Sequence, residues 1–230
     1  MSKKHISTLF RSQSESPTGS RRVEFLQELL FRAGVRSGSM AAQQMSLFLA
    51  LLEKWNARIN LTGSIEWKAV RPLIEEAVWA AGRYPEDAET HLDIGSGAGF
   101  PALPLRILIP RMHLDMVESR TRRCAFLETV IQELGLKHTR VINERLETLL
   151  AGRKETWDCI SWKALKLGVR SLSALAAAAT ERTRFWMFHG KHPAVEDVGA
   201  LEQLLILQRQ EECPAKKGWW LSVYRKRISG

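Results

Sequence analysis

The sequence predicts an α/β fold in which a mostly parallel, seven-stranded sheet carries helices on both faces, with a helical extension before it. Two patterns lead to this prediction. Residues 21–85 carry apolar residues at helical spacing, whereas short apolar runs alternate with helical segments from residue 86 onward. Such alternation is typical of parallel sheets, because the helices that connect successive strands pack on the faces of the sheet. We therefore predict a helical extension at residues 21–85 and an α/β domain at residues 86–230.

The extension contains three predicted helices, each with one apolar face. They span residues 21–33, 40–56 and 66–83. Within the third helix Pro72 marks either a kink or a late start, because proline disrupts a helix interior. The run Tyr84-Pro85-Glu86-Asp87 predicts a break before the α/β domain. Residues 1–20 are polar, rich in serine and without the apolar stretch of a signal peptide, so we expect a disordered basic tail.

The α/β domain is predicted to contain seven strands, each a short apolar run bounded by turn residues. These strands span residues 91–94, 112–118, 139–142, 157–162, 183–188, 204–208 and 219–225. Helices are predicted between them at residues 101–109, 121–134 and 167–180. A turn signal near Pro214 and Gly218 joins the last two strands.

The charge balance favours a polyanionic partner. There are 34 Lys and Arg residues against 25 Asp and Glu, a formal net charge of +9, and phosphates attract such basic surfaces. A merely basic protein is the alternative. The three separated cysteines predict no disulfide framework, no apolar run reaches the roughly 18 residues that span a bilayer, and the six histidines lack metal-ligand spacing. We therefore expect a cytoplasmic protein without a metal or a membrane segment.

A glycine loop, Gly95-x-Gly97-x-Gly99, follows the first predicted strand and precedes a helix. Glycines at such a bend let a ligand approach the backbone, and the helix that follows offers free N–H groups. Asp93 lies two positions before the first glycine, where its carboxylate can hold an ammonium group, directly or through water. The spacing differs from the G-x-G-x-x-G of dinucleotide-binding loops. An ordinary tight turn is the alternative to a ligand-binding loop.

Glu118 ends the second predicted strand, 19 positions after Gly99. A carboxylate at this point can accept hydrogen bonds from both hydroxyls of a ribose, although a strand-terminal surface glutamate would look the same in sequence. Together with the loop, Glu118 favours a cofactor that has an amino-acid end and a nucleoside end. S-adenosylmethionine has both ends, and a nicotinamide dinucleotide fits less well.

Further motifs surround the loop. The loop and its flanks read Leu92-Asp93-Ile94-Gly95-Ser96-Gly97-Ala98-Gly99-Phe100-Pro101, and upstream lies Trp55-Asn56-Ala57-Arg58-Ile59-Asn60-Leu61-Thr62. Downstream lie Glu118-Ser119-Arg120 with Phe126-Leu127, and Arg145-Leu146-Glu147. These motifs resemble the RsmG (GidB) family, whose members methylate N7 of a guanine in small-subunit ribosomal RNA. The resemblance covers roughly residues 25–190. It implies a Rossmann-like, S-adenosylmethionine-dependent methyltransferase fold for residues 86–230.

The resemblance also implies the cofactor contacts. Gly95, Gly97 and Phe100 would border the methionine and ribose, and Leu146 and Glu147 would lie along the adenine edge. The full set of predicted cofactor-binding residues is Asp93, Gly95, Gly97, Gly99, Phe100, Glu118, Leu146, Glu147 and Lys163. In the upstream motif, Asn56 and Asn60 share a helix face, and a loop-fixing role and a substrate contact are both open for them.

The substrate side departs from the family pattern. Pro72 replaces a histidine, Glu75-Glu76 replaces Asp-Ser, Lys163 replaces an arginine and His189 replaces a lysine. Lys163 and His189 are our candidates for binding phosphate or the acceptor edge of the base, and a charged rim is the alternative. No general base is expected, because N7 of guanine carries an unprotonated lone pair.

The expected partner is ribosomal RNA or the small ribosomal subunit, with the protein acting as a monomer. Two alternatives stay open because of these departures. One is a methyltransferase that acts on a different RNA or on a small molecule. The other is a non-catalytic, RNA-binding relative that has kept the fold.

Overall fold

The computed structural model describes residues 19–152 and 155–227. Residues 1–18 of the predicted tail lie outside these ranges. The last two residues assigned to the tail, at positions 19 and 20, instead begin the first helix.

A seven-stranded sheet forms the centre of the molecule, as the sequence predicts. Its strand order is β3-β2-β1-β4-β5-β7-β6, and among neighbouring strands only the pairs that include β7 are antiparallel. The order reverses between β1 and β4, which is where open α/β sheets bind ligands beyond the carboxyl ends of their strands. The strands are β1 Thr90–Ile94, β2 His113–Val117, β3 Thr139–Ile142, β4 Cys159–Lys163, β5 Arg184–His189, β6 Leu205–Glu212 and β7 Trp220–Lys226.

Eight helices lie within the described ranges. They are α1 Gly19–Arg32, α2 Met40–Asn56, α3 Trp67–Ala81, α4 Ala102–Leu108, α5 Thr121–Leu134, α6 Leu146–Gly152, α7 Val169–Ala178 and α8 Val198–Leu204. Pro72 lies inside α3 rather than at its start. The apolar pattern of the sequence does not predict α6 and α8, because each has only seven residues and too few apolar positions to show a period.

The helices cover both faces of the sheet and enclose two apolar cores. On one face, the buried residues of α1 to α5 share a core with side chains such as Met116 and Trp186. On the other face, residues of α6 to α8 pack with Ile94, Ile160 and Met187. The three N-terminal helices are therefore part of the core that supports the sheet. The predicted boundary at residue 85, between a helical extension and an α/β domain, stays a prediction.

The second helix fixes the N-terminal layer against the glycine loop. Ser39 caps it by accepting a hydrogen bond from the Ala42 amide. Phe48 is fully buried on this helix, and its ring meets that of Phe100 edge-on at 5.1 Å between ring centres. The helix thereby fixes the position of the chain just after the loop. Within the described ranges no helix is both long and apolar enough to cross a membrane.

Candidate active site

A cavity of about 1040 Å³ lies at the carboxyl ends of β1, β2 and β4. The glycine loop forms one wall, and the segment after β4 forms the opposite wall. Among the predicted site residues, the cavity is lined by Gly95, Gly97, Phe100, Glu118, Leu146, Glu147 and Lys163. A site built from separate strand ends is what a doubly wound sheet produces at its switch point. Asp93, Gly99 and His189 are not part of the lining.

The backbone of the glycine loop has a conformation that favours glycine. Gly95 and Gly97 have φ values of 69° and 57°, in the left-handed region where a side chain is strained. A Cβ atom on Gly97 would have no neighbour closer than 3.7 Å, so the space beside it stays open on the cavity side. Gly99 has a different role. A Cβ there would lie 2.4 Å from the side chain of Leu103, so this glycine permits close packing of α4 rather than contact with a ligand.

Glu118 closes the cavity between β2 and the glycine loop. Its Oε2 atom accepts a hydrogen bond from the Gly97 amide at 3.0 Å, and its Oε1 atom accepts one from the Arg120 amide at 2.9 Å. The residue is buried, and Arg123 lies 3.8 Å away. Each carboxylate oxygen can accept more than one hydrogen bond, so acceptor capacity remains for a ligand. The loop and the carboxylate therefore face one cavity.

The first turn of α6 forms the side of the cavity next to Glu118. Leu146 is buried there and supplies an apolar surface. The Glu147 carboxylate accepts a hydrogen bond from the Ser171 hydroxyl at 2.5 Å, which holds the pKa of Glu147 below its ordinary value. This bond joins α6 to α7 across the cavity. The N–H groups of a first helical turn have no partner within the helix, so they are available to a ligand.

Asp93 supports the glycine loop from beneath it. Its carboxylate is 2% exposed and accepts a hydrogen bond from the Ser161 hydroxyl at 2.6 Å, while its carbonyl oxygen accepts one from Ser96. Burial raises the pKa of Asp93 to about 6. It also lowers the pKa of His91 to about 3, so this ring is neutral and its Nε2 lies 2.8 Å from Ser161 Oγ. Asp93 therefore joins β1 to β4, and its contact with an ammonium group, directly or through water, stays a prediction.

Comparison with known proteins identifies the family. A family model described as rRNA small subunit methyltransferase G (GidB) matches residues 41–218, most of the chain. The chain belongs to this family. The resemblance of the sequence motifs is thereby confirmed.

Curated relatives are about one third identical to this chain over the aligned residues. The ribosomal RNA small subunit methyltransferase G of Bacillus velezensis is 33% identical over 160 residues, which cover 67% of this chain and 66% of the relative. The protein of the same name from Geobacillus kaustophilus is 36% identical over 143 residues, 60% of each chain. The match thus spans about three fifths to two thirds of the relatives' length.

Solved structures support the α/β fold class of this chain. The mitomycin 7-O-methyltransferase MmcR has a TM-score of 0.58 with 14% identity, covering 90% of this chain and 66% of that one. The fibrillarin/Nop5p complex has a TM-score of 0.54 with 13% identity, covering 72% and 86%. At such low identity these likenesses show the fold alone. They confirm a Rossmann-like methyltransferase fold.

Two residues that depart from the GidB family pattern, Lys163 and Glu76, form an ion pair. Lys163, at the end of β4, lines the cavity, and its Nζ lies 2.5 Å from Oε1 of Glu76 on α3. The side chains of Lys163 and Glu76 are only 14% and 3% exposed. Lys163 also lies 5.6 Å from the ring centre of Trp219. The lysine therefore links the N-terminal helices to the sheet at the edge of the cavity.

Removal of one partner of this pair should destabilise the protein. We expect Lys163→Met to lower the free energy of unfolding by about 3 kcal/mol, because it leaves the buried Glu76 without its cation. The double variant Lys163→Met/Glu76→Leu should recover most of that loss. Urea denaturation of both variants measures the difference.

The exposed pair Arg32–Glu28 serves as the control, since both side chains are about half exposed. Arg32→Met should cost less than about 1 kcal/mol. A double variant as unstable as Lys163→Met alone would show that the Lys163–Glu76 pair does not account for the loss.

His189 is held inside the protein and not at the cavity. It is 4% exposed, its Nδ1 lies 2.8 Å from the Gly190 carbonyl, and its Nε2 lies 2.8 Å from the Ser222 hydroxyl. Both ring nitrogens therefore have partners when Nδ1 donates and Ser222 donates to Nε2. Burial lowers the pKa of His189, which favours the neutral ring. The structure thus corrects the prediction that places His189 on the substrate side: it braces β5 against β7.

The segment before the α/β domain contributes to the cavity through the loop between α2 and α3 and through α3 itself. Leu61, Thr62 and Leu73 line it, and all three precede the α/β domain. The Asn56 side chain fixes this wall, because its Oδ1 accepts hydrogen bonds from the Leu61 and Thr62 amides at 3.0 and 2.8 Å. In the sequence, the signal for this wall of the cavity is the motif W-N-x-x-x-N-L-T at residues 55–62.

Proposed function

We propose that this chain transfers a methyl group from S-adenosylmethionine to N7 of a guanine in 16S ribosomal RNA. Support comes from its membership of the GidB family and from the names of its curated relatives. The observation that carries the proposal is the arrangement of Glu118, which closes the same cavity that the glycine loop opens.

The residues around the cavity fit S-adenosylmethionine. Glu118 retains acceptor capacity for ribose hydroxyls, and Leu146 offers an apolar surface for the adenine. Gly97 leaves room for the methionine part, since a Cβ there would meet nothing closer than 3.7 Å, whereas the Leu165 side chain lies beside Gly95. The volume of about 1040 Å³ lies at the upper end of ordinary ligand sites, about 300–1,000 Å³, which leaves space for an acceptor base.

The reaction needs little proton chemistry from the protein. S-adenosylmethionine would supply, when bound, a methyl group on a sulfonium: the free lone pair of N7 would form the new N–C bond as the methyl–sulfur bond breaks, with neutral S-adenosylhomocysteine as the leaving group and the positive charge on the methylated guanine. Among the described residues that line the cavity there is no histidine. The chain's contribution is therefore to hold the acceptor in line and to exclude water. The buried Asp93 and His91 stabilise the walls and do not act on the acceptor.

The charge of the cavity lining suits RNA. Six basic side chains line the cavity against four carboxylates and the Glu76 partner of Lys163, which leaves a small excess of positive charge for phosphates. The basic residues are Arg120, Arg123, Arg145, Lys163, Lys166 and Arg170. Since base-paired RNA hides the N7 edge in a deep groove, the target guanine would lie in a loop or be drawn out of the stack. We propose that the protein acts as a monomer in the cytoplasm.

Methylation mapping tests the proposed function. Small-subunit ribosomal RNA from cells with the gene should contain a 7-methylguanosine that is absent after deletion and returns with the wild-type gene. The purified protein should methylate the same position in subunits or in naked RNA from the deletion strain. Identical methylation with and without the gene would contradict the proposal and leave the target open.

A further inference from the structure

A second groove lies at the opposite edge of the sheet from the cavity. It has a volume of about 290 Å³, and its lining includes Arg83, Arg184, Arg209, Arg225 and Trp186; we call it the arginine groove. Arg184 begins β5, and it pairs in register with Arg225 near the end of the antiparallel β7. The groove therefore opens at the amino end of β5. The cavity lies roughly 20 Å away at the carboxyl ends, since six strand residues span about that length.

The four guanidinium groups have too few carboxylates to neutralise them. Arg83 and Arg209 share one carboxylate, that of Glu211, at 2.8 and 3.5 Å. Arg184 binds Asp87 at 2.9 Å. Within the described residues these two carboxylates therefore face four cations.

Arg225 and Asp87 show the local excess of positive charge. Arg225 donates to the main-chain oxygen of Glu181 at 3.0 Å, so this contact does not neutralise its charge. The pKa of Asp87 lies below its ordinary value, first because Arg184 donates to its carboxylate and further because the charges of Arg184 and Arg225 act on it. A second anion would be attracted to the same place.

Trp186 contributes a hydrogen-bond donor that lacks an acceptor. Its side chain is fully buried and lines the groove, and in the described structure its Nε1 has no hydrogen-bond partner. Buried donors without an acceptor are rare because they lose their bonds to water. An oxygen of a ligand seated against Trp186 in the groove would supply the missing acceptor.

We propose that the arginine groove binds a backbone phosphate of RNA, as a second contact on the edge opposite the active site. Guanidinium groups match phosphate oxygens with paired hydrogen bonds, and the indole N–H adds a donor to the same ligand. A substrate that reaches both edges has to be a large, folded polyanion and not a single nucleotide. The phosphate chemistry stands on the groove alone, whereas RNA as its source rests on the proposed function.

Binding of fluorescein-labelled, folded small-subunit ribosomal RNA tests the proposal, because an RNA of that size can contact the cavity and the groove together and its backbone contacts do not depend on sequence. We expect Arg209→Ala/Arg225→Ala to weaken binding about tenfold and to reduce the slope of log K against log salt by about one. Arg225→Lys should retain part of the affinity, and Trp186→Phe should weaken binding about threefold through loss of one donor. Fluorescence anisotropy over a salt series gives both quantities.

The control is Arg32→Ala, which removes an exposed arginine on α1 far from the groove in sequence and should change affinity less than about twofold. Unchanged affinity and salt slope in the double variant would overturn the proposal. If inorganic pyrophosphate stabilises the wild-type protein but not the double variant, while RNA binding is unchanged in that variant, RNA as the occupant is excluded.

Titration of each variant with S-adenosylmethionine separates this inference from the proposed function. Groove variants should bind the cofactor like the wild type, which also shows that they are folded. Absence of cofactor binding in the wild type would instead contradict the proposed function, and the RNA measurement would still decide the groove.

Discussion

Gly97→Asp is expected to abolish detectable binding of S-adenosylmethionine, with affinity reduced more than about 100-fold. The new side chain would enter the cavity, because the nearest neighbours of a Cβ on Gly97 are Nη1 of Arg123 and the Gly95 carbonyl oxygen, each 3.7 Å away. Its carboxylate would therefore occupy space that the ligand needs, beside the glycine loop. Isothermal titration calorimetry measures the loss.

A matched control separates backbone strain from occupation of the site. Gly135 ends α5 with φ 61°, close to the 57° of Gly97, and a Cβ there would meet nothing within 4 Å. Gly135→Asp should therefore suffer similar strain and bind the cofactor like the wild type. Equal affinity in the wild type and Gly97→Asp would remove the glycine loop from the binding site.

Glu118→Gln is expected to weaken cofactor binding about 30-fold, which corresponds to about 2 kcal/mol for hydrogen bonds to a charged group. The carboxylate accepts from both the Gly97 and Arg120 amides, and a carboxamide has only one oxygen for them. Its NH₂ group would face an N–H donor and would displace the side chain from its present position.

The exposed Glu128 on α5 provides the control for Glu118. Glu128→Gln removes the same charge and should leave the cofactor affinity unchanged. Thermal unfolding of both variants shows whether each is folded. A Glu118→Gln variant that binds as tightly as the wild type would mean that this carboxylate does not hold the ribose.

Local sequence patterns predicted the secondary structure where apolar periods were long. The bounds of α2, α5 and β3 agree with the predicted 40–56, 121–134 and 139–142. The apolar pattern does not predict the full length of the strand at the edge of the sheet. The strand predicted at 204–208 extends as β6 to Glu212, because an edge strand exposed on both faces has no alternation of apolar residues.

The site was predictable in part, because strand ends that follow one another in sequence meet at one edge of a parallel sheet. That geometry places Gly97 and Glu118 together, as the sequence suggested. Contacts between distant segments were not predictable. Lys163 and Glu76 lie 87 positions apart, and Asp93 and Ser161 lie 68 apart. Only the packed structure shows that these polar groups bond to one another.

We expect the glycine loop and Glu118 together to hold one bound nucleoside. A crystal structure of the protein with S-adenosylhomocysteine tests this expectation. We predict ribose hydroxyls within hydrogen-bond distance of the Glu118 carboxylate, and the amino-acid part beside Gly95 and Gly97. A nucleoside bound elsewhere, or an empty cavity at saturating ligand, would contradict this account of the site.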